Sequence, residues 1–262
     1  MKNIAIVTGA SSGIGKEFFR SLNDRKEVLD EIWVIARNEE KLTSLQSETD
    51  VPLKVFPLDL SAPDACSVFE KALQEETPSI QYMICASGFG RFCAIQDDSA
   101  EILQNMVDLN CRAIVGMTRA AMPFMAKGGL VMLVASVAAY QPIPYIATYA
   151  ATKAFVLSYG RALNVELQKS RDARCLCVCP FWTKTAFFDR AISQGEETVV
   201  KKYAVMYHPE QIVARAWKDA KKKKRDVSIC GAYSKGQILL VKLMPHKFVM
   251  WVWMRQQGLN KR

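Results

Sequence analysis

Histidine is scarce in this chain, and the cysteines do not have the spacing of a metal site. Only His208 and His246 could supply an imidazole among 262 residues, and neither stands in a ligand-like sequence spacing. The eight cysteines include no Cys-x-x-Cys pair, which is a signature of structural zinc sites and of thioredoxin-like redox sites. We therefore expect no metal centre.

Three of the cysteines, Cys175, Cys177 and Cys179, alternate with apolar residues. An alternation of period two places all three thiols on one face of a β-strand. Cysteine is a small and readily buried hydrophobic residue, so packing in a core explains this run better than metal ligation. Without a disulfide framework, the cysteine content favours a reducing, cytoplasmic environment.

Long hydrophobic runs are also absent. No stretch approaches the roughly 20 apolar residues that a helix needs to span a bilayer. The apolar run at the beginning of the sequence is too short for a signal sequence and leads directly into a glycine turn, so we expect no export signal. Half of the residues are hydrophobic, which is sufficient for the core of one large domain covering residues 1–262.

The net charge of +9 favours anionic ligands, such as a phosphorylated cofactor or an acidic surface. No nucleic-acid-binding signature accompanies this charge, so we expect no nucleic acid partner. Basic residues are concentrated only at 221–225, a run that could cap the C-terminus of a helix and stay solvated. With the apolar tail of residues 235–262, the same run could also hold the protein on an anionic membrane surface. We favour a tail that packs over a pocket or against another subunit.

Short apolar runs alternate with longer amphipathic runs, which is typical of a parallel sheet with helices on both faces. The pattern predicts an α/β fold with a doubly wound, parallel, seven-stranded sheet, whose ligands bind at the carboxyl ends of the strands. The rhythm loosens over residues 180–209, where we expect a loop that covers the substrate. The predicted strands are 3–8, 31–36, 53–57, 80–85, 130–135, 173–179 and 227–230, and the predicted helices are 13–23, 39–47, 63–75, 99–109, 111–125, 146–168 and 210–221.

Three glycines, Gly9, Gly13 and Gly15, follow the first predicted strand and open the first predicted helix. Glycine allows a tight turn and a close approach of the backbone to a pyrophosphate. The N-terminus of the helix adds free N–H groups and the positive end of the helix dipole. A dinucleotide-binding turn is therefore indicated, although a merely tight turn between strand and helix would need similar glycines.

Tyr149 and Lys153 are four residues apart, so on a helix both side chains lie on one face. An ammonium group beside a phenol favours the phenolate and is expected to lower the tyrosine pKa from about 10 toward neutrality. A tyrosine with such a pKa can exchange a proton with a carbonyl or alcohol oxygen. The pair, with Ser136 upstream, is therefore a candidate for acid–base chemistry on an oxygen atom.

On these residues the chain resembles the short-chain dehydrogenase/reductase family, over nearly its whole length from about residue 3 to residue 230. The family's Thr-Gly-x-x-x-Gly-x-Gly motif matches residues 8–15, and its catalytic Ser, Tyr and Lys match Ser136, Tyr149 and Lys153. The family's structural and proton-relay asparagine matches Asn110. The resemblance is nearest to the branch with 3-ketoacyl and hydroxysteroid reductases, and it implies a single Rossmann-type catalytic domain.

Two segments depart from the family pattern. Residues 85–88 read Cys-Ala-Ser-Gly where the family has Asn-Asn-Ala-Gly, so the backbone can still run beside a cofactor ribose but the asparagine side-chain bonds are lost. Phe181 follows Pro180 where the family has glycine, and this phenylalanine is expected to reshape the loop or narrow the pocket.

The resemblance implies a role for each matched residue. Tyr149 would be the general acid in carbonyl reduction, and Lys153 would lower its pKa and hold the nicotinamide ribose. Ser136 would donate a hydrogen bond to the substrate oxygen, and Asn110 would position a water that connects Lys153 to solvent. The implied activity is a reversible carbonyl reduction by an oxidoreductase. The alternative is a non-catalytic NADP(H)-binding redox sensor or scaffold on the same fold.

Arg37 directly follows the second predicted strand, which ends without an acidic residue. In this architecture an acid at that place binds the ribose 2′-hydroxyl of NAD, whereas an arginine accommodates the 2′-phosphate of NADP. We therefore expect NADP(H) to be preferred over NAD(H), although Arg37 could also be a solvated residue at the start of a helix. The expected cofactor contacts are Gly9, Ser11, Ser12, Gly13, Ile14, Gly15, Arg37, Asp59 (the family's adenine contact), Leu60, Ser87, Gly88, Tyr149, Lys153, Pro180 and Thr183 (suited to the nicotinamide amide).

Residues 138–145 and 181–192 are expected to surround the substrate, as the family's loops do. They are apolar, aromatic and stiffened by proline, which suits a small apolar carbonyl or alcohol substrate such as an acyl chain or a steroid. Several of these aromatic residues could instead pack in the core or at a subunit interface. We expect a homodimer or homotetramer, and peripheral membrane contact is the less favoured alternative.

Overall fold

A seven-stranded parallel sheet forms the centre of the computed structural model, which describes residues 1–192 and 199–259. In chain order its strands are β1 (Asn3–Thr8), β2 (Glu31–Ala36), β3 (Leu53–Pro57), β4 (Ser79–Cys85), β5 (Met125–Val134), β6 (Arg174–Cys179) and β7 (Val227–Ile229). They lie side by side in the order β3-β2-β1-β4-β5-β6-β7. The order reverses between β1 and β4, so a ligand crevice is expected at the carboxyl ends of these two strands. The predicted doubly wound sheet is confirmed.

Helices cover both faces of this sheet. The predicted break at residue 110 is a π-helical turn, Asp108–Arg112, that continues one helix into the next. Three further helices, in residues 187–257, were not predicted. The α-helices in the described part of the chain are α1 (Gly13–Ser21), α2 (Glu39–Thr43), α3 (Ala65–Glu76), α4 (Ala100–Val107), α5 (Ala113–Ala121), α6 (Ala147–Arg171), α7 (Phe187–Ala191), α8 (Pro209–Ala220), α9 (Ala232–Leu243) and α10 (His246–Gln257).

Strand β5 begins five residues earlier than the apolar pattern predicted. Met125 already pairs with Ile80 of β4, and the register shifts before Leu130 pairs with Tyr82. The intervening segment contains Gly128 with a φ of 78°, a conformation that glycine adopts without steric cost. This irregularity interrupts the apolar alternation, which is why the sequence pattern detected only the second half of the strand.

The two faces of the sheet have separate cores. Alternate residues of β6 show the separation, because Cys175, Cys177 and Cys179 are buried in one core while Leu176 and Val178 are buried in the other. Each of these five residues is at most 1% exposed. Burying a Val or Leu side chain stabilises the fold by roughly 1.5–3 kcal/mol, and strands that are apolar on both faces occur in the interior of parallel sheets. The prediction that the three thiols pack in a core is confirmed.

The tail of the chain folds back over the carboxyl edge of the sheet as helices α9 and α10. The indole Nε1 of Trp253 in α10 donates a 3.1 Å hydrogen bond to the carbonyl of Pro144, and the side chain of Gln257 donates to the carbonyl of Lys202 at 3.2 Å. Pro245 separates the two helices at the N-cap position of α10. Within residues 1–192 and 199–259, we find no helix whose length and apolar character would let it cross a bilayer.

The segment expected to cover the substrate, residues 180–209, is only partly described. Its first part contains α7, and Thr183 forms a parallel bridge with Tyr207 that closes the segment at its base. In this bridge the amide of Tyr207 donates a 2.8 Å hydrogen bond to the carbonyl of Trp182, and the amide of Lys184 donates a 2.9 Å hydrogen bond to the carbonyl of Tyr207. Residues 193–198 of the predicted loop lie outside the described residues.

Candidate active site

A deep cleft of about 1070 Å³ opens at the carboxyl edge of the sheet, where the strand order reverses. It contains each residue that the sequence predicted as a cofactor contact, together with Ser136. Asn110 does not line the cleft, because it lies behind it and is completely buried. The cofactor candidates that line the cleft are Gly9, Ser11, Ser12, Gly13, Ile14, Gly15, Arg37, Asp59, Leu60, Ser87, Gly88, Tyr149, Lys153, Pro180 and Thr183.

The glycine turn between β1 and α1 forms the floor of the cleft. Gly9 and Gly13 have φ values of 70° and 55°, a region that residues with a Cβ rarely adopt. The N-cap residue of α1, Ser12, makes no side-chain capping bond in the described structure, and the first turn of α1 contains no acidic residue. The free N–H groups and the positive dipole end of α1 therefore face the cleft without a competing anion.

The hydroxyl of Thr8 holds the turn against the end of β4. Its oxygen accepts hydrogen bonds of 3.1 Å from the backbone N–H groups of Ala86 and Ser87. Residues 85–88 lack the family's asparagine pair. Here the side chain of Thr8, the last residue of β1, links the ends of β1 and β4. Sequence reasoning used Thr8 only as part of the glycine motif.

A basic group lies at the far end of the cleft, beyond the glycine turn. Arg37 and Asp59 are both about half exposed, with 4.0 Å between the guanidinium Nη1 and the carboxylate Oδ2. Burial acts to raise the pKa of Asp59, but hydrogen bonds from Ser61 and the charge of Arg37 outweigh it, so the pKa is lowered. Lys41 of α2 lines the same end. Sequence reasoning missed Lys41, although its position one helical turn beyond Arg37 was a usable signal.

Asn110 and Lys153 both lie close to the backbone of Gly88. The Asn110 side chain accepts a 3.2 Å hydrogen bond from the N–H of Phe89 and donates to the carbonyl of Phe89 at 2.9 Å. It also donates to the hydroxyl of Thr152 at 3.0 Å. A Cβ atom on Gly88 would lie 2.9 Å from Asn110 Oδ1 and 3.3 Å from Lys153 Nζ. Glycine at position 88 therefore leaves room beside its backbone for these two buried polar side chains.

Ser136, Tyr149 and Lys153 converge in the middle of the cleft. Ser136 follows β5 and accepts a 3.1 Å hydrogen bond from the N–H of Ala138. Tyr149 and Lys153 project from one face of α6, and the Lys153 ammonium lies 5.6 Å from the centre of the tyrosine ring. Lys153 is 5% exposed, and its Nζ donates a 2.8 Å hydrogen bond to the carbonyl of Val134. The sheet end and the helix thus bring together three residues predicted from distant parts of the sequence.

The pKa of Tyr149 is raised to about 12, because burial disfavours the phenolate. A hydrogen bond involving Ser136 acts in the opposite direction, and the Cys179 thiol adds a further increase. The predicted shift toward neutrality is therefore wrong for this structure. Desolvation is the largest cause of the increase, and the Lys153 ammonium lies over the ring and directs its hydrogen bond to a backbone carbonyl. A phenol with this pKa is protonated at neutral pH, as a general acid must be.

Burial shifts the pKa of Lys153 in the opposite direction, to about 8. The ammonium loses its hydration in the interior, and the thiols of Cys111 and Cys179 only partly oppose this effect. At neutral pH most of the lysine is still charged. The site therefore combines a protonated phenol with a cation that is close to losing its proton.

Aromatic side chains form the wall of the cleft next to Tyr149. Phe187 of α7 lies 5.4 Å from Tyr149 between ring centres, and Phe92 lies 5.8 Å from Trp182. Gly90 is in contact with the same wall, because a Cβ there would lie 2.8 Å from both Phe187 and Tyr149. Of the segment 181–192 that was expected to surround the substrate, Phe181, Trp182, Phe187 and Phe188 line the cleft. Phe92, which precedes α4, was not predicted.

Helices α9 and α10 close the opposite side of the cleft, with lining residues that include Leu240, Met244, Phe248 and Trp253. Of the alternatives for the tail, packing over the pocket is the one observed. Gln237 of α9 also lines the cleft, and its side-chain oxygen is buried with no hydrogen-bond partner among the described residues. No motif pointed to Gln237 in the sequence.

The amino-acid sequence matches the family described as short chain dehydrogenase over residues 3–196. A very-long-chain 3-oxoacyl-CoA reductase of Neurospora crassa is 34% identical over 176 residues, which is 63% of this chain and 51% of that protein. The predicted resemblance to 3-ketoacyl reductases is confirmed by this similarity.

Solved structures share the fold over almost the whole chain. A short-chain dehydrogenase from Sphingobium yanoikuyae in complex with NADPH covers 91% of this chain and 92% of its own, with a TM-score of 0.76 and 24% identity. A short-chain dehydrogenase/reductase from Burkholderia phymatum in complex with NAD covers 95% and 94%, with a TM-score of 0.76 and 16% identity. The motif residues, the doubly wound sheet and the family match over residues 3–196 agree, and the chain belongs to the short-chain dehydrogenase family of oxidoreductases.

Proposed function

We propose that this chain is an NADP(H)-dependent oxidoreductase that reversibly reduces a carbonyl group on a hydrophobic substrate. The observation that carries the proposal is the position of Ser136, Tyr149 and Lys153. They lie in one cleft between a glycine turn suited to a dinucleotide and an aromatic pocket suited to an apolar substrate. A 3-ketoacyl chain is the substrate class we favour.

The residues of the cleft fit a nicotinamide dinucleotide. The free N–H groups at the start of α1 suit a pyrophosphate, and the absence of a Cβ at Gly88 leaves the backbone open beside Lys153. Thr183 and Pro180 line the cleft near the end of β6, where the nicotinamide amide would be held. When bound, the nicotinamide supplies or accepts a hydride.

The basic end of the cleft supports NADP(H) over NAD(H). Arg37 and Lys41 line this end, and β2 provides no acid there to bind a ribose 2′-hydroxyl. The guanidinium fork can form two charge-assisted hydrogen bonds with a 2′-phosphate. Asp59 lies beside Arg37 and would orient its guanidinium while contacting the adenine edge.

The side chains of the site would each act on the substrate oxygen or on its proton. Ser136 donates a hydrogen bond to the carbonyl oxygen and stabilises the negative charge that develops there. Tyr149 delivers its phenolic proton to that oxygen and accepts it back in the reverse reaction. The charge of Lys153 stabilises the phenolate that remains, and Lys153 also binds the ribose hydroxyls. Asn110, fixed by Phe89 and Thr152, is a positioning residue for the proton path to solvent.

The lining of the pocket supports an apolar substrate that carries at least one hydrogen-bond donor. Its walls are the aromatic residues of 181–188 and the aliphatic residues of α9 and α10. The unpartnered oxygen of Gln237 would accept a bond from such a donor, because leaving it unpaired in the complex costs roughly 1–3 kcal/mol. Acyl thioesters of the coenzyme A type carry amide N–H groups along the arm beyond the acyl chain, whereas a plain polycyclic ketone does not.

The experiment that tests the proposal measures NADPH consumption with 3-ketoacyl thioesters, ketosteroids and simple aromatic ketones. Tyr149→Phe should lower turnover by roughly 100-fold or more, the range of general acid catalysis, and should leave the NADPH dissociation constant nearly unchanged. Tyr159→Phe removes the same hydroxyl from the same helix outside the cleft and should keep full activity. Tight NADPH binding without turnover of any substrate class would contradict the proposal and favour a non-catalytic binding protein.

Cellular location and assembly complete the proposal. Free thiols are carried by Cys66, Cys85, Cys111, Cys175, Cys177, Cys179 and Cys230, which supports a reducing compartment such as the cytoplasm. We also propose a homodimer or homotetramer, since closed symmetric assemblies are the commonest oligomers of soluble enzymes.

A further inference from the structure

Helices α9 and α10 expose an unusually apolar surface next to the mouth of the cleft. Leu239, Leu240 and Leu243 lie on neighbouring positions of α9 and are 60%, 55% and 75% exposed. Phe248 and Trp251 of α10 are 46% and 48% exposed, and their rings stack with 5.8 Å between centres. These five residues define what we call the apolar helix-pair surface. A soluble monomer rarely leaves so many large apolar side chains exposed together without a partner.

The charged side chains of α9 and α10 are all basic. No Asp or Glu occurs after Asp226 in the sequence. Four basic residues, Lys235, Lys242, Lys247 and Arg255, stand on or between the two helices, and all four are exposed. The exposed charges of the two helices that carry the apolar helix-pair surface are therefore all positive.

We propose that the apolar helix-pair surface docks this protein on an anionic lipid bilayer. Helices that lie in a membrane interface combine an apolar face, basic flanks and tryptophan, and each lysine or arginine near an anionic surface adds to the attraction. A second copy of the chain fits less well. A two-fold symmetric contact through this surface would bring the two sets of four cations together, and their mutual repulsion would oppose the contact.

Docking would also place the cleft against the lipid. Leu240, Met244 and Phe248 line the cleft and are also 55%, 37% and 46% exposed, so they form the boundary between the cleft and the docking surface. If the substrate is apolar, as proposed above, it could then enter from the bilayer without crossing water. This second step rests on the proposed function, whereas docking itself does not.

The basic run of residues 221–225 is not part of this surface. The Arg174 guanidinium, at the start of β6, donates hydrogen bonds of 2.7–3.0 Å to the carbonyls of Ala220, Lys222 and Arg225. The run therefore sits at the amino edge of the parallel sheet, whereas α9 begins beyond the carboxyl end of β7. The run and the tail do not form one basic membrane face, and the run serves as a matched control.

Flotation with lipid vesicles tests the proposal. The full chain should bind vesicles of phosphatidylcholine mixed with phosphatidylglycerol, bind phosphatidylcholine alone far more weakly, and dissociate at high salt. Lys235→Glu/Lys247→Glu should weaken binding by roughly tenfold or more. Lys223→Glu/Lys224→Glu makes the same charge change at the amino edge and should bind as the wild type does.

A second variant tests the apolar contribution. Leu243→Ser/Trp251→Ser should also lose vesicle binding while it remains folded and reduces a short water-soluble ketone as the wild type does, since neither residue lines the cleft. The proposal is overturned if the wild type does not float, if both charge variants lose binding equally, or if Leu243→Ser/Trp251→Ser changes only the oligomeric state. Vesicle binding without turnover would support docking and contradict the reductase, and turnover without vesicle binding would do the reverse.

Discussion

The ammonium of Lys153 lies 5.6 Å from the centre of the Tyr149 ring and donates its 2.8 Å hydrogen bond to the carbonyl of Val134. A Tyr-x-x-x-Lys pattern in a sequence shows the charge next to the tyrosine but not the burial of the phenol, and the two act on the tyrosine pKa in opposite directions. The cation lies over the ring, but burial still keeps the pKa of the phenol at about 12. The resting site therefore holds a protonated phenol, and desolvation lowers the pKa of the neighbouring lysine.

The burial of Lys153 makes the stability of this protein depend on pH in a defined window. Its folded-state pKa is about 8, below the ordinary value of 10.5, so the unfolded chain binds the additional proton between these values. We expect the unfolding free energy of the wild type, relative to Lys153→Met, to rise by about 1.4 kcal/mol per pH unit from pH 8 to pH 10.5. Below pH 8 the difference should be constant, because lysine is charged in both states.

Urea unfolding of both proteins across this range measures the difference, and other titrating groups cancel from it. Lys169→Met removes an exposed lysine at the end of α6 and is the control for the loss of one lysine side chain. A flat pH profile for Lys153→Met would show that Lys153 is not desolvated.

Arg37 is expected to decide between the two dinucleotides. Arg37→Glu should weaken NADPH binding roughly tenfold or more, since a hydrogen bond to a charged group contributes about 1.5–3 kcal/mol, and should change NADH binding far less. Fluorescence titration of both cofactors measures the two dissociation constants. Lys169→Glu makes the same charge change away from the cleft and should alter neither. An equal loss of NADPH and NADH affinity would remove Arg37 from the 2′-phosphate site.

Gly88 is expected to tolerate no side chain. In Gly88→Ala the new Cβ would lie 2.9 Å from Asn110 Oδ1 and 3.3 Å from Lys153 Nζ, so one of these buried groups must move. We expect turnover to fall and the unfolding free energy to drop by about 1–3 kcal/mol. Gly236→Ala adds the same methyl group in α9 with nothing within 4 Å and should stabilise the helix by roughly 0.5–1 kcal/mol. Thermal unfolding of Gly88→Ala and Gly236→Ala measures the change in midpoint temperature of each variant. Equal changes in the two variants would contradict the packing argument at Gly88.

Gln237 is expected to act on substrate affinity. Gln237→Leu should raise the KM for a ketoacyl thioester several-fold with little change in kcat, because the lost bond is made to a part of the substrate that does not react. It should also raise the unfolding free energy by about 1 kcal/mol, since a buried unpaired oxygen is removed. Gln256→Leu changes an exposed glutamine of the same cleft and should affect neither quantity. An unchanged KM in Gln237→Leu would show that the substrate makes no bond there.

Local patterns were sufficient for the sheet and for the identity of the candidate residues. The period-two alternation of β6 predicted its three buried thiols, and the glycines after β1 predicted the turn that lines the cleft. Patterns failed where the backbone is irregular, as at Gly128 in β5. They also failed for Lys41, Phe92 and Gln237, because each of these residues belongs to no motif and is brought to the cleft only by the tertiary fold.

The sequence by itself determined the fold class, the family and the candidate residues for proton transfer, since these depend on periodicity and on the spacing of residue types. Only the tertiary structure decided the pKa direction of Tyr149, because desolvation depends on all the atoms packed around the phenol. It also decided that the tail covers the cleft and leaves apolar side chains exposed at its mouth. An amphipathic pattern shows that a helix has two faces, but which of them is covered is set by the surfaces that the rest of the chain brings against it.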